Sequence, residues 1–433
     1  MNIIDGKSYE KAIEYISSLS QFVAGTGCER AEKLLERLGN PQDKLKVIHV
    51  AGSNGKGSVC AYLAGILQEN GYKTGLFTSP HLIDERERIR INGMMITKEE
   101  FAEAYARVKA VEDELGKGSL AYFDYFLGIA FLVFLKQNVD ICVIETGLGG
   151  RLDATNAVKN PVLDIIATIS LEHTAILGDT IEKIAEEKSG IKNNVPVVFI
   201  KDKKSVTDII EKNAEDNNCE AYGVTQKDFQ IIKNYGYCID FSLNNMYYKN
   251  DCFTITTGAV YQVQNCSLAL TAAEVLKKTG VVKLESNAVH KAVKKVQWHG
   301  RMEQIADNIY VDGAHNPEGI EALICSVSPI TCGRKTILLF SVVNDKDYDR
   351  MIKSICDSNM FDYFVIAGIQ GKRCLDDRCI SDTFKKYTDK PVIDKINIKD
   401  AYESAAALRR DIDGVLFCTG SLYLVGEIMS IIK

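Results

Sequence analysis

The sequence predicts an α/β chain of two domains, each built on a parallel sheet, the second smaller than the first. Three observations predict it. At 433 residues the chain exceeds what one ordinary core serves, and the domain-size prior gives two or three domains. Short apolar runs alternate with stretches of helical spacing along most of the length. The alternation restarts after Trp298 His299 Gly300 Arg301 Met302 Glu303 changes the texture, so the expected domains are 1–296 and 297–433.

The first domain is organised by Val47 Ile48 His49 Val50 Ala51 Gly52 Ser53 Asn54 Gly55 Lys56 Gly57 Ser58. An apolar β-branched run becomes a glycine-rich loop and then a helical stretch, Val59 to Leu67. Glycines let backbone N–H groups turn inward, a helix N-terminus adds positive charge, and a lysine reaches the β- and γ-phosphates. This is a phosphate loop, and the fold is a P-loop mononucleotide-binding parallel sheet. Gly52, Asn54, Gly55, Lys56, Gly57 and Ser58 are its ATP-binding residues. Val50 stands where the general pattern has its first glycine, and Gly57 separates Lys56 from Ser58. A plain strand-to-helix turn needs glycine for its angles but has no use for a lysine between two glycines.

Composition narrows the function. A net charge of −6 and a pI near 5.7 leave no basic surface for nucleic acid. The lysines of Lys201 Asp202 Lys203 Lys204 read as a solvated loop. Met1 Asn2 Ile3 Ile4 Asp5 Gly6 lacks the regions of a signal peptide, and the longest apolar run, Gly128 to Leu135, is too short for a bilayer. The expectation is a cytoplasmic protein without membrane contact. Thirteen cysteines occur without a C-x-x-C pair, most in apolar runs such as Ile141 Cys142 Val143, which predicts reduced, buried thiols.

In chain order, residues 8–38 show helical spacing broken at Ala24 to Arg30, which reads as a helix–helix turn. Strands follow at Tyr72–Thr78, Asp140–Ile144 and Asp164–Ile169. They end in Ser79 Pro80 His81, in Glu145, and in Ser170 Leu171 Glu172 His173. Carboxyl ends of parallel strands face the ligand crevice, so a hydroxyl, a carboxylate and an imidazole meet at one edge. Beside ATP that set can hold Mg²⁺. Glu145, ending a wholly apolar strand, is hard to explain as surface. Ser79 is equally a turn residue before Pro80, and His173 equally a hydrogen-bonded structural histidine. Gly147 to Asn156 is a glycine-rich loop. Lys188 ends a short helix stopped by Gly190 and by spacing alone is solvated. Residues 201–258 read as a polar peripheral insertion with hairpin-like strands, and helices cover Ser267–Lys277 and 286–296.

Beyond the boundary, strands at 308–312, 336–342, 362–367 and 414–418 alternate with helices, a Rossmann-like α/β pattern. It lacks G-x-G-x-x-G, so nothing argues for NAD. Arg301, at the junction, is either a clamp on a transferring phosphoryl group or a surface arginine.

These residues together resemble the folylpolyglutamate synthase and dihydrofolate synthase family, within the Mur ligase group of ATP-dependent amide ligases. The resemblance spans nearly the whole chain. It rests on Gly39 Asn40 Pro41 Gln42, the loop from His49 to Ser58, Ser79 Pro80 His81 Leu82, Glu87 Arg88 Ile89, Glu145 to Asn156, Asp312 to Pro317, and Gly420 Ser421 Leu422 Tyr423.

The resemblance implies Ser79, Glu145 and His173 as magnesium ligands, and Lys188 as a lysine carboxylated by CO₂ that serves a second Mg²⁺. Carboxylation needs a neutral amine, which burial or nearby cations supply. Asn265, Arg301 and Asp312 match nucleotide contacts, and His315 lies in the same motif. Lys56, His173, Lys188 and Arg301 form the implied catalytic set. Pterin or folate contacts are implied at Gly27, Cys28 and Glu29, at Ala121, Tyr122, Phe123 and Asp124, and at Leu152, Asp153 and Ala154. The chain departs from the common pattern at Cys28 (leucine), Ser53 and Ala121 (threonine), Asp124 (glutamate) and Tyr261 (histidine). The implied reaction joins L-glutamate to a reduced folate or to 7,8-dihydropteroate through an acyl phosphate, with closure of the two halves, in a monomer. Alternatives are a ligase for UDP-linked peptidoglycan precursors and a P-loop ATPase without ligase activity.

Overall fold

The structure is a computed structural model and describes residues 6–20, 26–191, 195–368 and 375–432. The chain divides into two compact units, one of residues 1–230, 243–253 and 264–296, the other of 231–242, 254–263 and 297–433. Two short stretches that the sequence expectation placed in the first domain, 231–242 and 254–263, thus group with the second.

In the first unit, strands β1 (Val47–Ala51), β2 (Thr74–Phe77), β3 (Ile89–Ile91), β4 (Met94–Met95), β5 (Ile141–Glu145), β6 (Leu163–Ile166), β7 (Val197–Ile200) and β8 (Ala221–Val224) form one sheet. Their order is β4-β3-β2-β5-β1-β6-β7-β8. Only β3 and β4 run antiparallel to their neighbours. β1 and β5 are buried along their whole length, which is why they read as continuous apolar runs rather than alternating ones. β1 lies between β5 and β6, with Val50 opposite Glu145 and Ala51 opposite Ile166. The chain leaves β1 for one side of the sheet and later crosses to the other. This switch point puts the ligand crevice at the end of β1, where the glycine loop begins.

Helix Tyr122–Lys136 covers one face, burying Phe126, Phe131 and Phe134 against Val47, Cys142 and Ile144. Each such ring contributes about 2–3 kcal/mol by leaving water. On a second core, helices Ile181–Ser189 and Lys204–Asp216 pack Ile184, Val206 and Ile210 against Ala51, Ile166 and Phe199. Residues 201–224 are therefore no peripheral insertion: their polar letters are the solvent face of an amphipathic helix, and β8 extends the main sheet, turning Tyr222 and Val224 inward. A separate three-stranded sheet, β9 (Phe229–Asn234), β10 (Ile239–Asn244) and β11 (Lys249–Ile255), accounts for the remaining hairpins.

The second unit carries β12 (Glu303–Ala306), β13 (Ile309–Val311), β14 (Thr336–Phe340), β15 (Tyr363–Ala367), β16 (Val392–Lys395) and β17 (Val415–Thr419) in the order β12-β13-β17-β14-β15-β16. All pairs are parallel except β12 with β13. The two outer strands were not legible, because half-exposed edges such as Val392 Ile393 Asp394 Lys395 lack an apolar run.

The helices read at 8–38 are Gly6–Ser18 and Gly27–Arg37; Ala24 and Gly25 lie outside the described residues. The cysteine expectation needs correction. The described cysteines are all reduced, but only Cys60, Cys142, Cys266 and Cys418 are buried, while Cys252, Cys325, Cys332 and Cys379 are exposed. Cys325 and Cys379 sit on helices whose other face meets the core, so an apolar neighbourhood in sequence did not mean burial. Among the described residues no helix is long and apolar enough to cross a membrane.

Candidate active site

The loop after β1 needs two glycines for physical reasons. Gly52 has φ 145°, and a Cβ there would stand 2.8 Å from Ala167 Cβ; Gly55 has φ 86°, and a Cβ there would collide with Asn265 Oδ1. Asn265, buried in helix Tyr261–Lys278, is thereby seated directly on the loop. Gly55 offers no side-chain cap to helix Lys56–Glu69, the kind of helix start whose first-turn N–H groups can receive an anion. Lys56 Nζ folds back to donate to Gly52 O at 2.9 Å and Ser53 O at 3.2 Å.

The segment after β6 staples this loop. Ser53 N donates to Thr168 O at 2.7 Å, Ser53 Oγ to Ser170 O at 3.1 Å, and Ser170 N to Ser53 Oγ at 3.0 Å. Two residues on stands Glu172, which the sequence reading passed over for His173. Glu172 Oε1 accepts from Lys188 Nζ at 2.9 Å, and the same ammonium donates to Gly52 O at 2.8 Å. Lys188 is 1% exposed, contrary to the solvated lysine its spacing alone predicts; helix Ile181–Ser189 turns it under the loop. Burial lowers its pKa, with Glu172 opposing and Lys56 assisting. Burial acts to raise the Glu172 pKa, but Lys188 and Lys56 outweigh it and hold that carboxyl well below its ordinary range.

Glu145 is buried at the end of β5, and its Oε2 accepts from Ser79 N at 3.0 Å. These two residues are brought together as the strand order requires. His173 is exposed with φ 47°, heading the short helix Thr174–Leu177. Among the described residues no cluster of three His, Cys, Asp or Glu side chains able to hold a metal occurs. One buried carboxylate beside a serine suits Mg²⁺, which takes one or two carboxylates and completes its shell with phosphate and water.

The three segments at which the resemblance implies pterin or folate contacts converge. Gly27, Cys28 and Glu29 form the first turn of helix Gly27–Arg37, where Glu29 closes a capping box with Thr26. Cys28 N donates to Leu152 O at 3.1 Å. Burial, with Glu32 and Asp153 nearby, pushes the Cys28 thiol up to about 11. Ala121 precedes helix Tyr122–Lys136, whose first turn holds Tyr122, Phe123 and Asp124. Asp124 accepts from Arg30 Nε and from Ala121 N, both at 2.8 Å, and among the described residues its buried Oδ1 has no partner. Its pKa is raised by burial against the pull of Arg30. Leu152 is exposed, whereas Asp153 and Ala154 are buried. In the sequence Arg88 carries no signal beyond its place in Glu87 Arg88 Ile89. It is buried with its guanidinium over Tyr122 and Phe126, donating from Nε to His81 Nδ1 at 2.9 Å.

In the second unit Asp312 is buried after β13 and accepts from Met302 N and Ala314 N, both at 2.8 Å, and from Tyr261 OH. Burial raises its pKa, with Arg301 opposing. Arg301 lies against Gly313, and His315 Nδ1 is 2.8 Å from Gly313 O. Tyr261, noted in the sequence only as a departure, is thus a direct partner of Asp312.

Fold and site define a two-unit α/β protein whose first unit carries a phosphate loop at its topological switch point. The Mur ligase middle domain family matches residues 50–273, and the Mur ligase, glutamate ligase domain family matches 300–422. The dihydrofolate synthase/folylpolyglutamate synthase of Bacillus subtilis is 36% identical over 360 residues, 80% of this chain and 83% of that one. The crystal structure of folylpolyglutamate synthase from Thermotoga maritima, 31% identical, superposes with a TM-score of 0.83 over 98% of this chain and 97% of its own. A Mycobacterium tuberculosis folylpolyglutamate synthase complexed with ADP, 25% identical, gives 0.87 over 99% of each. The chain belongs to the Mur ligase family, in its dihydrofolate synthase/folylpolyglutamate synthase branch.

Proposed function

We propose that the chain is an ADP-forming ligase joining L-glutamate to reduced folates and to 7,8-dihydropteroate. One observation carries the reading: Gly52 to Ser58 form a phosphate loop held against the strand ends bearing Glu145 and Glu172, in a chain of this family. The ADP complex of the mycobacterial relative supports ATP as the nucleotide.

The acceptor's carboxylate oxygen attacks the γ-phosphorus, the bond to ADP breaks, and an acyl phosphate forms. The free amine of L-glutamate then attacks the acyl carbon, the tetrahedral intermediate expels inorganic phosphate, and the nitrogen sheds its extra proton to leave an amide. Two anions meet in the first step, so fixed positive charge is the main catalytic demand. Lys56 supplies it at the loop, and Arg301 is the second cation of this reading. Asn265, Asp312 and His315 keep the nucleotide roles that the resemblance implies. The convergence of Gly27–Glu29, Ala121–Asp124 and Leu152–Ala154 supports an acceptor site there.

In this reading Ser79, Glu145 and His173 hold Mg²⁺, and a carboxylated Lys188 serves a second ion; the metal would neutralise phosphate charge. Burial and Lys56 favour the neutral amine that carboxylation needs. A cytoplasmic monomer is part of the same proposal.

The test is ADP release measured with and without L-glutamate, using tetrahydrofolate or dihydropteroate as acceptor, with product masses recorded. Glutamate-dependent release and a product one glutamate longer support the reading. Release independent of glutamate overturns it.

A further inference from the structure

His49 is fully buried in the middle of β1, three residues before Gly52. A polar ring in the central strand of a sheet costs free energy unless its N–H is satisfied. Its Nε2 lies 2.7 Å from Thr155 Oγ1. Thr155 has one hydroxyl proton, and Oγ1 donates it to Asp153 Oδ1 at 2.6 Å. Thr155 therefore accepts from His49, which fixes the Nε2–H tautomer. Among the described residues His49 Nδ1 has no hydrogen-bond partner, so the bond to Thr155 orients the ring.

The chain of bonds continues into the acceptor segments. Asp153 Oδ1 also accepts from Thr155 N at 3.0 Å, and Oδ2 from Leu148 N at 2.8 Å, closing the glycine-rich loop on itself. That loop presents Leu152 O to Cys28 N on one side and Arg151 N to Glu187 O, at 2.8 Å, on the other. The strand that leads into the phosphate loop and the loop that meets Cys28 are thus joined through one histidine.

We infer that His49 is a positioning residue for the acceptor, acting through Thr155 to hold the Asp153 carboxylate and the 147–154 loop in the conformation that binds it. The inference rests on the acceptor role proposed above for residues 27–29, 121–124 and 152–154. Burial keeps the ring uncharged, with a pKa lowered to about 4, so the donor is constant through neutral pH.

The test compares the parent enzyme with His49→Leu, His49→Gln and Thr155→Val. Leucine removes the donor and also the unpartnered Nδ1, so thermal stability at neutral pH is expected to hold. The acceptor KM should rise about tenfold, the effect of one hydrogen bond to a constrained site. The ATP KM and kcat should stay within about twofold of the parent. Glutamine, which returns an N–H toward Thr155, should recover most of the acceptor KM, and Thr155→Val should reproduce the loss and decide the matter if His49→Leu does not fold. An acceptor KM unchanged in both His49→Leu and Thr155→Val, a parallel rise in ATP KM, or no recovery with glutamine overturns the inference. A parent without glutamate-dependent turnover would instead overturn the functional reading.

Discussion

Lys188 Nζ donates to Glu172 Oε1 at 2.9 Å, with the two side chains 2% and 7% exposed. Turning that ammonium into a carbamate would set two buried anions against each other. A cation between them is then a physical requirement, which ties the carboxylation proposal to a second Mg²⁺.

Breaking this pair from one side leaves a buried charge unpaired. Lys188→Met is expected to destabilise the protein by about 3 kcal/mol or more. Combining it with Glu172→Gln should recover at least about 1 kcal/mol of that, a coupling expected of groups in direct contact. Urea unfolding of the two single variants and the double variant measures the coupling; additive losses would contradict a shared ion pair.

If Lys188 works as a carbamate, ADP release in buffer stripped of dissolved CO₂ should fall and should return when bicarbonate is added. A rate indifferent to bicarbonate removes the modification from the mechanism.

Lys56 makes its hydrogen bonds to carbonyls of its own loop. Lys56→Ala should therefore leave the melting temperature nearly unchanged while lowering kcat by about a hundredfold or more, the scale for losing one electrostatic contact to a reacting phosphoryl group. Circular dichroism melts beside the ADP-release assay separate the two effects.

Tyr261 donates its hydroxyl to the buried Asp312 carboxylate. Tyr261→Phe removes a hydrogen bond to a charged group, worth about 2 kcal/mol, and should raise the Asp312 pKa further. Denaturant unfolding gives the first quantity. Carboxyl resonances followed by NMR across acidic pH give the second.

His49 carries a stability signature in pH. Its folded pKa, about 4, lies below the ordinary 6.5. Between these values the unfolded chain binds a proton that the folded protein refuses, so this contribution is full above 6.5 and is lost as pH falls toward 4. The loss amounts to about 3 kcal/mol over the window. His81, lowered to about 4 chiefly by burial and next by Arg88, acts in the same range. The measurement is therefore a difference: unfolding free energies of the parent and His49→Leu at pH 7 and pH 5, with the variant showing the shallower dependence.

The phosphate loop was legible because its chemistry is local: three glycines, a lysine and a helix start fall within seven residues. Glu145 was legible for a similar reason, an acid closing an apolar strand. Glu172 satisfies nearly the same criterion after β6 but was overlooked beside His173. The outer strands β12 and β16 were not legible, since a half-exposed edge has no unbroken apolar signature.

By itself the sequence determined the α/β class, the nucleotide loop and the family, because each rests on periodicity or on a motif that is contiguous in the chain. Tertiary structure alone decided that Lys188 is buried against Glu172, that Tyr261 holds Asp312, and that His49 reaches Asp153 through Thr155. Those partners lie 16, 51 and 106 residues apart for the direct pairs. At such separations only the order of strands and the packing of helices determine which polar group loses water and which neighbour replaces it.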